Sequence, residues 1–221
     1  MPTRPFFVAL EGMDGAGKDT VAAALSQHLR AHDLSVVLTA EPSDGPIGQK
    51  IRAMLDGALA PPSDGYAFQR LFVEDRRDHI DSCIRPHLVA GKIVISVRYW
   101  LSTIAYGMLD DSAEAYLKLH REVIGLDFLI PDLTVLLDVS PTEGLRRIKA
   151  DGRRFDWFAK LEKLERIRAN YLTLASRSDL GTILVVNAME SVSAVRTRLE
   201  TLAELHYLRS YLQPSEKPSG T

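Results

Sequence analysis

Gly12, Gly15, Gly17 and Lys18 stand in the stretch EGMDGAGKDT, residues 11–20, at the spacing that lets a backbone wrap an anion. Glycines let successive N–H groups turn inward around phosphate oxygens, and a lysine after the last glycine reaches the β- and γ-phosphates. Met13, Asp14 and Ala16 fill the spacer positions, and Asp19 and Thr20 follow the lysine. The pattern G-x-x-x-x-G-K-[ST] is kept at Gly12, Gly17 and Lys18 and broken at Asp19, where a hydroxyl that binds the nucleotide's magnesium is the rule. A carboxylate there sets a negative charge beside phosphates, yet it is an oxygen ligand that magnesium accepts. Residues 12–20 therefore predict a nucleoside triphosphate site, with Lys18 as its cation and Asp19 as a candidate metal ligand.

Such a loop needs a strand to deliver it and a helix to follow it. FFVALEG (6–12) is a short apolar run ending in glycine and reads as a buried strand. From Lys18 onward Val21, Leu25 and Leu29 recur every fourth residue, which is helix spacing. SVVLTA (35–40) predicts a second strand and IGQKIRAML a short helix. PPSD (61–64) starts another helix, with Ser63 or Asp64 as cap, running to about Val89. Gly91 then marks the turn into a strand over 92–97. Helices are expected over 99–109, 112–124 and 141–150, with a strand at 132–139 between the last two. An Arg-rich break at 151–155 leads into a long helix to about 176, then a strand at 181–188 and a last helix over SVSAVRTRLETLAEL. Strands alternating with helices predict an α/β fold, a parallel sheet with helices on both faces. Ligands of such sheets sit at the C-terminal ends of the strands.

The 221 residues suit one domain, about 1–206, and QPSEKPSGT at the end of a 207–221 tail lacks apolar residues and should fray. An apolar content of 46% supports a core, and a net charge of −2 argues against nucleic acid or an acidic membrane as partner. The single cysteine, Cys83, excludes an internal disulfide framework and a Cys-rich zinc site, and reads as a buried, inert thiol. With no long apolar run and no signal-peptide pattern, a soluble cytoplasmic protein is expected.

Seven segments carry a family resemblance: FFVALEGMDGAGKDT, EPSDGPIGQKIR, LFVEDRRDHI, IRPHLVAGKIVISVRY, LSTIAYG, PDLTVLLDV and ERIRANYLTLA. In that order, over roughly residues 5–200, they resemble thymidylate kinases. The resemblance implies a P-loop NTPase-type sheet and phosphorylation of dTMP to dTDP by ATP with Mg2+, in a homodimer. It implies that Asp14 contacts the acceptor sugar's 3′-hydroxyl, and that acceptor phosphate and metal approach Glu41 and Pro42. Phe72 would stack on thymine, Arg76 would read the base edge, and Arg98 would hold the acceptor phosphate. Ser102 and Thr103 would line the base pocket, and Tyr106 would pack under the sugar and disfavour a 2′-hydroxyl.

Physical chemistry is compatible with this. Phe72 and Arg76 are four apart on one helix face, and a ring beside a guanidinium suits a flat base with polar edges. Taken singly, Phe72 reads as core packing, Arg76 as a surface salt bridge to Glu74 or Asp75, and Tyr106 as an ordinary buried tyrosine. A lid over about 149–157 is expected in LRRIKADGRRFDWF, which holds Arg146, Arg147, Lys149, Arg153 and Arg154. Arg153 and Arg154 are the candidates to cover the transferring group, against the alternative of a solvated basic helix end. VNAME (186–190) stands where the family's adenine loop lies, and backbone contacts should dominate there.

Four positions depart from the family pattern. Ala40 stands where an arginine often precedes Glu-Pro, Ile104 where a glutamine often faces thymine, and Val97 where D-R-[YH] has its aspartate. The fourth is Asp19. A metal-side carboxylate is lost at Val97 and one is gained at Asp19, so three readings compete: compensation, a tolerated Asp19 beside a separate loss, or a nucleotide-binding paralogue with impaired catalysis. A kinase for another (deoxy)nucleoside monophosphate is the other alternative.

Overall fold

The computed structural model describes residues 4–150 and 160–190, together with Ala194, Thr197 and Arg198. The expected lid arginines Arg153 and Arg154, most of the last helix and the 207–221 tail lie outside the described residues.

Strands β1 (Phe6–Glu11), β2 (Val36–Ala40), β3 (Ile93–Val97), β4 (Leu133–Asp138) and β5 (Ile183–Asn187) form one parallel sheet in the order β2-β3-β1-β4-β5. Every residue of β1 is buried, as its unbroken apolar run requires in the middle of a covered parallel sheet. From β1 the chain winds to one side, toward β3 and β2; from β4 it winds to the other, toward β5. β1 and β4 are therefore the pair at which the winding reverses, and a crevice opens beyond their C-terminal ends.

Strand register places the site. Leu10 is level with Val97, and Val97 with Ala40, so β1, β3 and β2 deliver Gly12, Arg98 and Glu41 to one end of the sheet. On the other side Glu11 is level with Leu136.

Around the sheet lie α1 (Lys18–Ala31), α2 (Pro46–Leu55), α3 (Gly65–His79), α4 (Arg85–Val89), α5 (Trp100–Gly107), α6 (Ala113–Val123), α7 (Pro141–Ala150) and α8 (Leu161–Ala175). Val21, Leu25 and Leu29 of α1 are buried, the stripe their spacing foretold. Asp64 caps α3, its carboxylate accepting from Tyr66 N at 3.1 Å and Ala67 N at 3.2 Å.

The expected single helix up to Val89 is corrected. After α3 a π-helical turn runs over Ile80–Ile84, closed by Arg85 N donating to the Ile80 carbonyl, before α4 resumes. Pro86 has no N–H to donate, so the regular ladder is interrupted here, and the wider turn sits where the bonding changes. The inert-thiol reading of Cys83 is also corrected. Cys83 lies on that turn, only half-buried, with Sγ 3.9 Å from both Thr39 Oγ1 and His87 Nδ1. A hydrogen bond with His79 holds the thiol down at about 7 against the opposing effect of burial.

Candidate active site

The loop between β1 and α1 turns on residues that a side chain would obstruct. Gly15 has φ 78°, and a Cβ there would meet the Gly144 carbonyl oxygen of α7 at 2.3 Å. That close approach seats the first turns of α7, with Glu143, Arg146 and Arg147, against the loop. α1 begins at Lys18, so its amides face the loop's concavity. The Lys18 ammonium is buried and donates to the Gly12 and Met13 carbonyls at 2.9 Å each. Burial pushes it down to about 7, Arg98 adding to the effect while Asp14, Glu11 and Asp19 oppose it.

Two cavities open here. One of about 490 Å³ is lined by loop residues 14–20, by Glu143, Arg146 and Arg147, and by Ala188 and Glu190 after β5. Arg147 spans it, donating to Ala188 O at 3.0 Å and Gly15 O at 3.5 Å. Glu143 fixes both arginines of α7, accepting from Arg146 Nε at 2.7 Å and Arg147 Nε at 2.8 Å. The other cavity, about 220 Å³, is lined by Pro42, Gln69, Phe72, Arg76, Ser102, Thr103 and Tyr106. Asp14, Glu41 and Arg98 line both, so they mark the junction.

At the junction Arg98 forms an ion pair with Asp14 and donates to Ser102 Oγ at 3.2 Å. The Tyr106 hydroxyl donates to the other Asp14 oxygen at 2.8 Å, and burial pushes that phenol well up, keeping it protonated. Arg98 also lies over the Tyr106 ring at 5.4 Å from its centroid, within the reach of about 6 Å for a cation–π contact.

Arg76 is not the surface arginine that its neighbours Glu74 and Asp75 suggest. It is 1% exposed. Nε and Nη2 donate to Glu41 Oε2 at 3.0 and 2.5 Å, and Nη1 donates to Thr103 Oγ1 at 3.1 Å. The same Nη1 meets His120 Nε2 at 2.8 Å. Burial, and then the Arg76 charge, push His120 down to about 3, so it stays neutral. Its Nδ1–H donates to Tyr116 O at 2.7 Å, which leaves Nε2 as the acceptor that Arg76 requires. Four of the five guanidinium N–H groups are thus committed, and one on Nη2 has no acceptor among the described residues. Phe72 is half-buried on the same helix and packs edge-on to Phe68 at 5.2 Å.

A sequence model of the thymidylate kinase family matches residues 10–199. The chain is 36% identical over 205 residues to a probable thymidylate kinase of Thermococcus kodakarensis, covering 90% of this chain and 97% of that protein. It is 35% identical over 191 residues to a thymidylate kinase of Desulfotalea psychrophila, covering 86% and 89%. For a thymidylate kinase of Xanthomonas campestris the identity is 38% over 169 residues, covering 76% and 70%. The chain belongs to the thymidylate kinase family.

At three of the expected site positions the structure adds contacts that the sequence does not show. Glu41 does not present its carboxylate to solvent: it is 5% exposed, with Oε2 on Arg76 and Oε1 on His79 Nδ1 at 3.1 Å. Ser102 lines the smaller cavity, but its hydroxyl turns to Arg98 and to Glu11 Oε2 at 2.5 Å. Val97 is buried, lines the larger cavity and offers only its carbonyl, which accepts from Glu41 N at 2.9 Å. Asp19 and Thr20 are exposed at the mouth of that cavity. Among the described residues, sequence reasoning missed Glu11, His79, His120 and Tyr171. Glu11, His79 and Tyr171 lie within segments that carry the resemblance, but their roles depend on contacts with distant segments; the glutamate that ends the apolar run of β1 was the one local signal.

Proposed function

We propose that this protein transfers the γ-phosphoryl group of ATP to dTMP, giving ADP and dTDP. The observation that carries the reading is the meeting of a phosphate-loop cavity and a smaller aromatic- and arginine-lined cavity on Asp14, Glu41 and Arg98. ATP takes the larger cavity, its phosphates in residues 12–20 and its base toward Ala188. Lys18 exchanges the Gly12 and Met13 carbonyls for the β- and γ-phosphates. dTMP takes the smaller cavity: Phe72 stacks on thymine, the uncommitted Arg76 N–H donates to a base carbonyl, Thr103 and Ser102 close the wall, and Pro42 lies at its rim. Asp14 accepts the sugar 3′-hydroxyl, Tyr106 lies under the sugar, and Arg98 holds the acceptor phosphate.

A phosphate oxygen of dTMP then bonds to the γ-phosphorus as the bond from that phosphorus to the β,γ-bridging oxygen breaks, and the electron pair leaves with ADP. The protein contributes position and positive charge, from Lys18, Arg98 and, in the lid over about 149–157, Arg153 and Arg154. Magnesium bound with ATP supplies charge neutralisation between the β- and γ-phosphates. Among the described residues no group of three or more His, Cys, Asp or Glu is placed to cage a cation. Magnesium needs only one or two protein oxygens besides phosphates and water, and Asp19 at the mouth of the larger cavity would supply one. We further propose a single domain over 1–206 that works as a cytoplasmic homodimer. No helix among the described residues is long and apolar enough to cross a membrane.

Coupled ADP release with a panel of monophosphates tests this. The Arg76 donor matches a carbonyl at the thymine edge and opposes the amino group of cytosine. A mismatched buried hydrogen bond costs about 1–3 kcal/mol, so kcat/KM for dTMP should exceed that for dCMP by roughly one to two decades. Equal values would remove the thymine assignment.

A further inference from the structure

We propose that Glu11 is a positioning residue, holding the acceptor-side arginine Arg98 in register with the phosphate loop through the hydroxyl of Ser102. The proposal rests on the dTMP kinase reading, since it concerns the arginine assigned there to the acceptor phosphate.

Glu11 is the last residue of β1, immediately before Gly12, and it is 0% exposed. Glu11 itself lines neither cavity. Oε1 accepts from Tyr99 N at 3.0 Å and Ser102 N at 3.1 Å, the amides at the start of α5. Oε2 accepts from Ser102 Oγ at 2.5 Å and from Tyr171 OH of α8 at 3.2 Å. A carboxylate can only accept, so the one proton of Ser102 is committed to Glu11, and its lone pairs face Arg98 Nη1 at 3.2 Å and Tyr171 OH at 2.9 Å. Arg98 itself stands at φ 66°, a left-handed conformation that is strained for a non-glycine residue and persists where the surroundings over-determine it. Three bonds do so: Arg98 N to Leu10 O at 2.8 Å, Ser96 Oγ to Arg98 O at 2.7 Å, and the Glu11 bond to the next amide. One buried carboxylate thus ties the strand that carries the loop to the helix that carries the acceptor contacts.

Glu11→Gln keeps the size and one acceptor oxygen for the two amides. Its NH2 now donates to Ser102 Oγ and competes with Arg98 for the same lone pairs. The wild type and this variant are titrated separately with dTMP and with ATP, with melting curves alongside. We expect the dTMP Kd to rise about tenfold or more, the ATP Kd to stay within about twofold, and the effect to be non-additive with Ser102→Ala. A dTMP Kd unchanged in Glu11→Gln, equal weakening of both nucleotides, or additivity with Ser102→Ala would overturn the proposal. Should Glu11→Gln fail to fold, Tyr171→Phe removes the donor shared by Glu11 Oε2 and Ser102 Oγ, at a residue that lines neither cavity. It should weaken dTMP about two- to threefold and leave ATP unchanged, and no change in dTMP binding would overturn the proposal. A wild type that binds ATP and not dTMP is a different failure, that of the kinase reading itself.

Discussion

Asp19 and Val97 are the two departures that bear most on the proposed magnesium role, one adding a carboxylate and one lacking it at the larger cavity. Val97 presents no side-chain oxygen to the larger cavity, and the nearby carboxylate of Glu41 is held by Arg76 and His79. Asp14 is paired with Arg98 and Tyr106. Asp19, exposed at the first turn of α1, is the carboxylate that the loop itself adds to this cavity's lining. If it carries the metal role that Val97 lacks, Asp19→Thr alone should lower magnesium-dependent turnover about tenfold or more, while Val97→Asp alone changes it modestly. The double variant should recover activity, and such non-additivity is the sign of two positions serving one ion. Magnesium titrations of the four proteins with ATP and dTMP decide it. A strong gain from Val97→Asp with little effect of Asp19→Thr would show a simple lesion at 97 instead. The loop residues were legible in the sequence because glycine spacing and a following lysine are local. The partners of Arg76 were not, because Glu41, Thr103 and His120 come from three other segments that meet it only in the fold.

At the scale of elements, the strands were legible as apolar runs ended by turn residues, and each came out within two residues of its expected bounds. The α3–α4 region was not. A π-helical turn keeps the apolar spacing nearly helical, so a pattern of buried positions cannot reveal it, although Pro86 marks where a regular ladder must fail. That turn has a chemical consequence. It sets Cys83 one turn after His79, and the bond between them holds the thiol at about 7 where an ordinary thiol stands at 9.0. His79 is in turn pushed up to about 9, burial opposing while Cys83 and Glu41 favour its charged form. The thiolate is the nucleophile, so iodoacetamide should label this single cysteine with a rate that climbs through pH 7 and levels above it. His79→Gln should move the rise up toward the ordinary thiol range. A wild-type rate that begins to climb only near pH 9, unmoved by His79→Gln, would contradict the pairing.

For the whole molecule, the sheet order β2-β3-β1-β4-β5 converts local motifs into one site. Parallel register brings the ends of β1, β2 and β3 level, and the reversal between β1 and β4 opens the crevice into which the loop and α7 close. The donor and acceptor cavities consequently share Asp14, Glu41 and Arg98, and that juxtaposition is the basis of the phosphoryl-transfer account. The most direct test is product formation: incubate the full chain with ATP, magnesium and dTMP, and quantify ADP and dTDP, beside Lys18→Ala. The account expects ADP and dTDP in equal amounts from the wild type. Turnover in Lys18→Ala should be lower by orders of magnitude with the fold retained. Wild-type protein that binds ATP but forms no dTDP, or near-normal turnover in Lys18→Ala, would contradict it.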